Sequence, residues 1–363
     1  MTQIPVTIIT GFLGSGKTTL LNRLLSQPAL AEAAVIINEF GEVGIDHLLV
    51  SAPAENMVLL DTGCLCCTVR GDLVETLTDL YRKRSSGTVP PFSHLIIETT
   101  GLADPVPVLQ TVVADEALGQ VYRLHDVVTV VDAVHGESQL DAHPESVKQA
   151  AVADALLVTK TDLASPATVD ALRRRLERLN PGAEVHEVVR GEIDAAVVLR
   201  GNVYDPRTKA AEVERWLGTA GYARHHHAHG HDHERDVSRH DQSIRGHAFH
   251  RDEPIRRAGL VMWLDLLAGL RGANLLRVKG VLNVEGDPVV IHAVQSIVHE
   301  PVLLESWPSD DRRSRLVFIA RDMKREDIER TFEAFDYAAT PVRSSTIDPQ
   351  AYAQFVEAMR GFR

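Results

Sequence analysis

The chain has 363 residues, 44% of them hydrophobic and 24% charged, enough to bury one large core or two medium ones. Its formal net charge of −12 excludes the basic surfaces that nucleic acid or an anionic membrane would require. No run of about 18 apolar residues is present, so no membrane-spanning helix is expected. The opening residues pass straight into a strand-like run with no basic leader, which predicts a cytoplasmic enzyme.

Val6–Thr10 is β-branched and apolar, and reads as the first strand. It runs into Gly11-Phe12-Leu13-Gly14-Ser15-Gly16-Lys17-Thr18, a complete GxxxxGK[ST] loop, and then a helix from Lys17 to about Leu25. Glycines let this backbone turn its N–H groups onto phosphate oxygens. Lys17 is expected to reach the β- and γ-phosphates, and Thr18 to ligate Mg²⁺. Ser15 and Thr19 belong to the same expected phosphate site.

Ala34–Ile37 and Met57–Leu60 are the next strand candidates. The segment after the first of these, Asn38 to Asp46, carries Glu39 and Glu42 where a switch loop would lie. These acids are candidates for contact with Mg²⁺ or a transported metal, with solvated loop charges as the alternative. After the second come Cys64, Cys66 and Cys67, the only cysteines in the chain. Three thiols within four residues make no disulfide framework, whereas thiolate ligation of Zn²⁺ or Co²⁺ suits the spacing and redox chemistry is the lesser alternative. A helix is expected over Asp72–Arg82.

His94–Ile97 is a strand leading into Glu98-Thr99-Thr100-Gly101. Glu98 stands where Mg²⁺-site acids sit, a helix-capping acid being the alternative, and the Gly101 N–H is placed to sense a γ-phosphate. Leu102 follows in place of the water-positioning glutamine of Ras-like proteins, so intrinsic hydrolysis should be slow. Val127–Val131 and Ala155–Val158 are further buried strands, and Pro166–Leu179 is a helix. Thr159-Lys160-Thr161-Asp162 has the [NT]KxD pattern of guanine-specific proteins. Asp162 can accept from guanine N1–H and the 2-amino group, donors that adenine lacks there. Alternating short apolar strands and helices predict an α/β fold over 1–217, a doubly wound, mostly parallel P-loop sheet.

Residues 218–241 are polar and hold His225, His226, His227, His229, His231 and His233. They are expected to form a mobile linker that binds metal weakly, or a solvated linker with chance histidines. From 242 to 363 the pattern predicts a smaller α+β domain: strands at Ile244–His250, Leu275–Val284, Val289–Val298 and Arg315–Ala320, with helices at Ile255–Leu270 and Arg325–Phe335. A Glu-Gly-Asp-Pro turn should join the second strand of this set to the third.

TGFLGSGKTTLL, NEFGEVGID, GCLCC, IIETTGLADP, VVDAVH and TKTDL follow one another in an order and spacing that resemble the CobW family of P-loop GTPases. HAFHRDEPI, LLRVKG and LVFIAR resemble that family's C-terminal domain. The resemblance implies GTP hydrolysis coupled to loading Zn²⁺ or Co²⁺ into a client metalloprotein. It carries over Cys64, Cys66 and Cys67 as metal-site residues, Gly11 to Thr19 as the phosphate loop, and Thr159, Lys160 and Asp162 as the base site. Ile37 stands where some relatives carry an extra metal-binding acid, which leaves an auxiliary site there open, and the lack of the Pro-containing docking extension of some zinc-delivering members leaves the client open; the oligomeric state is open as well. Two other readings compete. A small-molecule kinase would need an arginine-rich lid, and a His-rich storage protein would need no nucleotide cycle.

Overall fold

The computed structural model describes residues 3–39, 57–61, 69–199, 244–269, 274–294, 297–299 and 301–337. Its first half is a seven-stranded sheet in the order β3-β2-β4-β1-β5-β6-β7, every neighbouring pair parallel. The strands are β1 (Ile4–Gly11), β2 (Ala33–Glu39), β3 (Met57–Asp61), β4 (His94–Thr99), β5 (Tyr122–Asp132), β6 (Ala155–Thr159) and β7 (Glu184–Val188). β4 and β6 are buried along their whole length, as strands covered by helices on both faces must be.

The helices connecting them are α1 (Lys17–Leu25), α2 (Val69–Ser86), α3 (Val106–Ala114), α4 (Glu116–Val121), α5 (Gly136–Ala142), α6 (Pro144–Ala151), α7 (Pro166–Leu179) and α8 (Ala196–Leu199). Leu20, Leu21 and Leu24 of α1 pack on Ile9, Ile37 and Ile96 on one face of the sheet. Leu73 and Leu77 of α2 and Leu109 of α3 pack on Ile8, Ile36 and Ile97 on the other. The doubly wound sheet expected from the sequence is therefore present, and α2 extends beyond the expected Asp72–Arg82 at both ends.

The second half is an antiparallel sheet in the order β11-β10-β9-β13-β8, with β12 paired to β10. Its strands are β8 (Ile244–Arg251), β9 (Leu275–Val284), β10 (Asp287–Val294), β11 (Ile297–Val298), β12 (Val302–Leu303) and β13 (Ser314–Arg321). On one face lie α9 (Arg257–Gly269) and α10 (Arg325–Thr331), where Trp263 meets Phe318, Phe332 and Phe335 and donates to Thr331 Oγ1 at 3.0 Å. The opposite face, with Leu276, Val281, Val290, Val317 and Ile319, shares one core with Ala150 of α6 and Leu172, Leu176 and Leu179 of α7. The two sheets are thus joined by buried apolar surface.

Four expectations for this half need correction. The Val289–Val298 strand reverses after Val294, and Ile297 pairs back onto it as β11. The turn before it is tighter than expected: Glu285 and Gly286 both take positive φ, and Asp287 and Pro288 are already paired with Val284 and Asn283. The helix expected from Ile255 starts at Arg257, because Ile255 bridges to Val284. The last helix tightens at Phe332 into a 3₁₀ turn reaching Asp336.

Candidate functional site

In a parallel sheet the loops that leave the C-terminal ends of the strands share one edge. Here that edge carries the phosphate loop after β1, the Glu98–Gly101 segment at the end of β4, and the Thr159–Asp162 segment at the end of β6. Gly11 sits at φ 145°, and a Cβ there would lie 2.3 Å from the Val130 carbonyl oxygen, so only glycine lets the loop turn so close to β5. Gly14 and Gly16 also take positive φ, and Gly16 opens α1. Lys17 is nearly buried and curls back over the loop, donating from Nζ to the carbonyls of Gly11 (2.9 Å) and Phe12 (3.3 Å). Thr18 and Thr19 follow in the first turn of α1. The buried hydroxyls of Ser15 and Thr100 have no hydrogen-bond partner among the described residues, where buried hydroxyls normally have one. Two free hydroxyls beside a loop turned by positive-φ glycines fit a Mg²⁺-bound triphosphate.

Glu98 is buried and in register with Ile9 of β1 and Ile37 of β2, on the side of the sheet that packs against α1. That places it beside the helix bearing Thr18. Thr99 Oγ1 donates to Thr10 Oγ1 at 2.8 Å, tying the ends of β4 and β1 together. Gly101 lies against the phosphate loop: a Cβ would come 2.7 Å from the Leu13 nitrogen and 2.8 Å from its Cα. Gly101→Ala must therefore push the two loops apart. Overpacking of this kind costs about 1–3 kcal/mol, so the thermal midpoint should drop by a few degrees, and we expect GTP hydrolysis to fall about 10-fold. A wild-type rate in a single-turnover assay would refute the contact.

At the base end, Thr159 Oγ1 donates to the carbonyls of Ser15 (2.6 Å) and Val131 (3.3 Å). Lys160, in the left-handed region at φ 57°, donates to the Gly14 carbonyl and pairs with Asp132 Oδ2, each at 2.7 Å. Asp132 is buried, and its other oxygen accepts from the main-chain nitrogens of Val134 (2.7 Å) and His135 (3.3 Å). Asp162 lies in the 3₁₀ turn Thr161–Leu163, with its carboxylate 3.9 Å from Arg190 Nε. Gly191, next in the chain, is pressed against Thr19 of α1. The structure thus brings Gly11 through Thr19, Glu98, Gly101, Thr159, Lys160 and Asp162 to a single sheet edge.

Three contributors were missed in the sequence. Arg190 lies in a turn without a motif. Gln149 on α6 reads there as an ordinary helix residue, yet it is buried and holds the loop after Gly101. Asp132 was visible only as part of VVDAVH. Of the expected metal residues, Glu39 is described only as the last residue of β2, paired in register with Asp61. Glu42, Cys64, Cys66, Cys67, His225, His226, His227, His229, His231 and His233 lie outside the described residues. Among the described residues no helix is long and apolar enough to cross a membrane.

Comparison with known proteins agrees with this architecture. Residues 5–187 match the CobW/HypB/UreG nucleotide-binding domain, and residues 244–336 match the cobalamin synthesis protein CobW C-terminal domain. The chain is 34% identical to the zinc chaperone YjiA of Escherichia coli, over 92% of this chain and 98% of that one. It is 32% identical to the zinc chaperone CobW of Pseudomonas aeruginosa, over 89% of each. The crystal structure of the Zn(II)-bound YjiA GTPase superposes with a TM-score of 0.68 at 28% identity, covering 93% of this chain and 100% of that one. With both domain matches in order along the chain and relatives aligned over nearly its full length, the protein belongs to the CobW/HypB/UreG nucleotide-binding family and carries the CobW C-terminal domain.

Proposed function

We propose that this GTPase takes up Zn²⁺, with Co²⁺ as the second candidate, at Cys64, Cys66 and Cys67, and that GTP turnover sets when the ion passes to a client metalloprotein in the cytoplasm. The observation that carries the reading is the order of four parallel strands. β3, β2, β4 and β1 lie side by side, so the segments after them leave from one edge. The phosphate loop follows β1, the γ-phosphate-sensing segment follows β4, and the acidic segment follows β2. Cys64 comes three residues after Asp61 at the end of β3, a reach of at most about 11 Å. This supports a metal site and a γ-phosphate site on the same edge, with the acidic segment that follows β2 between them. The relatives named as zinc chaperones and the Zn(II)-bound relative favour Zn²⁺ as cargo.

In this reading Lys17 leaves the carbonyls of Gly11 and Phe12 for the β- and γ-phosphates, so the loop exchanges internal hydrogen bonds for charge-assisted ones. Thr18 and Glu98 are the residues that would hold Mg²⁺, which when bound neutralises charge on the transferring phosphoryl group. Gly101 presents its N–H to the γ-phosphate, and Asp162 selects guanine. The His-rich segment 218–241 would hold further ions weakly. Loss of the γ-phosphate frees the sensing segment, as in other nucleotide switches, and loosens the thiolate site beside it.

The test is titration of Zn²⁺ or Co²⁺ into the protein with a non-hydrolysable GTP analogue, with GDP, and with neither. The analogue should raise metal affinity roughly 5–150-fold over GDP, and metal should raise analogue affinity by the same factor. Cobalt should show thiolate charge-transfer absorption that Cys66→Ala with Cys67→Ala abolishes. Metal affinity should fall as pH drops, because ligation displaces thiol protons. The same affinity in all three nucleotide states would refute a nucleotide-driven cycle.

A further inference from the structure

Helix α6 has eight residues and touches three parts of the molecule. At its start the capping residue His143 stacks on Phe12 of the phosphate loop, with ring centroids 4.5 Å apart. Near its end Gln149, 1% exposed, donates from Nε2 to the carbonyls of Gly101 (3.2 Å) and Ala103 (3.0 Å). Lys148 beside it pairs with Asp104 at 2.8 Å, and Thr129 Oγ1 on β5 donates to the Gln149 carbonyl at 2.7 Å. Just past the helix, Arg277 of β9 donates to the Val152 carbonyl, and both Arg277 and Lys279 pair with Asp154. Asn180 closes the same end by donating to the carbonyls of Ala150, Ala151 and Ala153.

These contacts leave little slack. Residues 101–104 form no regular element, and the Gln149 amide and the Lys148 ammonium hold three of the four. Hydrogen bonds of 3.0–3.2 Å do not survive a movement of an ångström or more, so a shift of this segment must either break them or carry α6 along. Val147, Ala150 and Ala151 of α6 are fully buried in the core shared with β9, β10 and β13, and close-packed interiors pass a displacement on rather than absorb it.

We propose that α6 relays the state of the γ-phosphate segment to the C-terminal domain, with Gln149 as the positioning residue for Gly101 and the Val152–Asp154 contacts with Arg277 and Lys279 as the far attachment. This rests on the reading of Gly101 as the γ-phosphate sensor. The seating of the antiparallel sheet then differs between the triphosphate and diphosphate states, and anything bound on that sheet is released or retained with the nucleotide.

Gln149→Met keeps the length of the side chain and removes its donors. In the full-length protein, GDP affinity should stay at the parent value, while affinity for the non-hydrolysable GTP analogue and the single-turnover hydrolysis rate should each fall about 10-fold. Equal losses for both nucleotides, or no loss for either, would overturn the assignment. The second measurement needs no variant: amide hydrogen exchange across Leu275–Lys279 in the parent protein with GDP and with the analogue. The relay requires different exchange rates in the two states, and a difference that disappears in Gln149→Met. Identical rates in the parent would overturn it even if the variant failed to fold. A parent that binds no guanine nucleotide would overturn the nucleotide reading itself, and is recognised before any comparison of states.

Discussion

Asp162→Asn should lower GTP affinity by ~10²- to 10⁴-fold, because it turns one of the two accepting oxygens into a donor that faces a guanine donor and leaves the other uncharged, and hydrogen bonds to a charged group are worth about 1.5–3 kcal/mol each. The same change should admit xanthosine triphosphate, whose 2-oxo group needs the donor that an amide provides. The fold supports a clean exchange. Asp162 sits in a 3₁₀ turn whose entry is held by the left-handed Lys160, and Lys160 is fixed by Asp132 and the Gly14 carbonyl rather than by Asp162. Arg190 stands 3.9 Å from the carboxylate with a side chain 79% exposed. Such exposed pairs contribute little, so guanine can displace the guanidinium at small cost. Competition of GTP, ATP and xanthosine triphosphate against a fluorescent guanine nucleotide measures all three. Equal GTP and ATP affinity in the parent, or a variant with unchanged preference, would remove Asp162 from the base site.

What could be read in advance follows from how narrowly each feature constrains its residues. The phosphate loop was legible because Gly11 tolerates no side chain against Val130 and because Lys17 must follow it at fixed spacing. The strands of the parallel sheet were legible where both faces are covered, as in β4 and β6. β7 was passed over because it is an edge strand, with Glu184, His186 and Glu187 in a partly exposed run that lacks an apolar signature. The break between β10 and β11 was missed because an apolar run does not show where the chain reverses. Gln149 gave no signal at all. A buried glutamine on a helix looks like a surface one until the carbonyls of Gly101 and Ala103 are seen beside it. The contact of Arg277 and Lys279 with Asp154 joins residues more than 120 positions apart, and neither LLRVKG nor the stretch before β6 indicates a partner.

Asp154→Asn should destabilise the protein by about 3–5 kcal/mol, the usual result of removing one partner from a buried ion pair. Asp154, Arg277 and Lys279 are all buried where the two sheets meet, and the Asp154 carboxylate also accepts from the Val127 nitrogen at 3.1 Å. Burial alone would raise the Asp154 carboxyl pKa. Arg277, then Lys279, more than offset that and hold it at about 2. A carboxyl held below its unfolded value adds stability that is present above about pH 4 and is lost as pH falls towards 2. For one group the contribution is about 2 kcal/mol. The parent should therefore lose stability between about pH 4 and 2, with β9 exchanging its amides early in that range, and Asp154→Asn should flatten this part of the curve. The variant leaves two buried cations facing each other, so most of its cost is uncompensated charge rather than a lost contact. Adding Lys279→Met removes one cation and keeps an apolar stem beside Gly182, and should restore a good part of the loss. Denaturant unfolding of the parent, both single variants and the double variant forms a closed cycle that isolates the interaction. Additive single costs would show that Asp154 and Lys279 do not act on each other. A single Asp154→Asn cost below about 1 kcal/mol, within the range of exposed ion pairs, would show that water reaches the junction and that the two sheets are held by their apolar core alone.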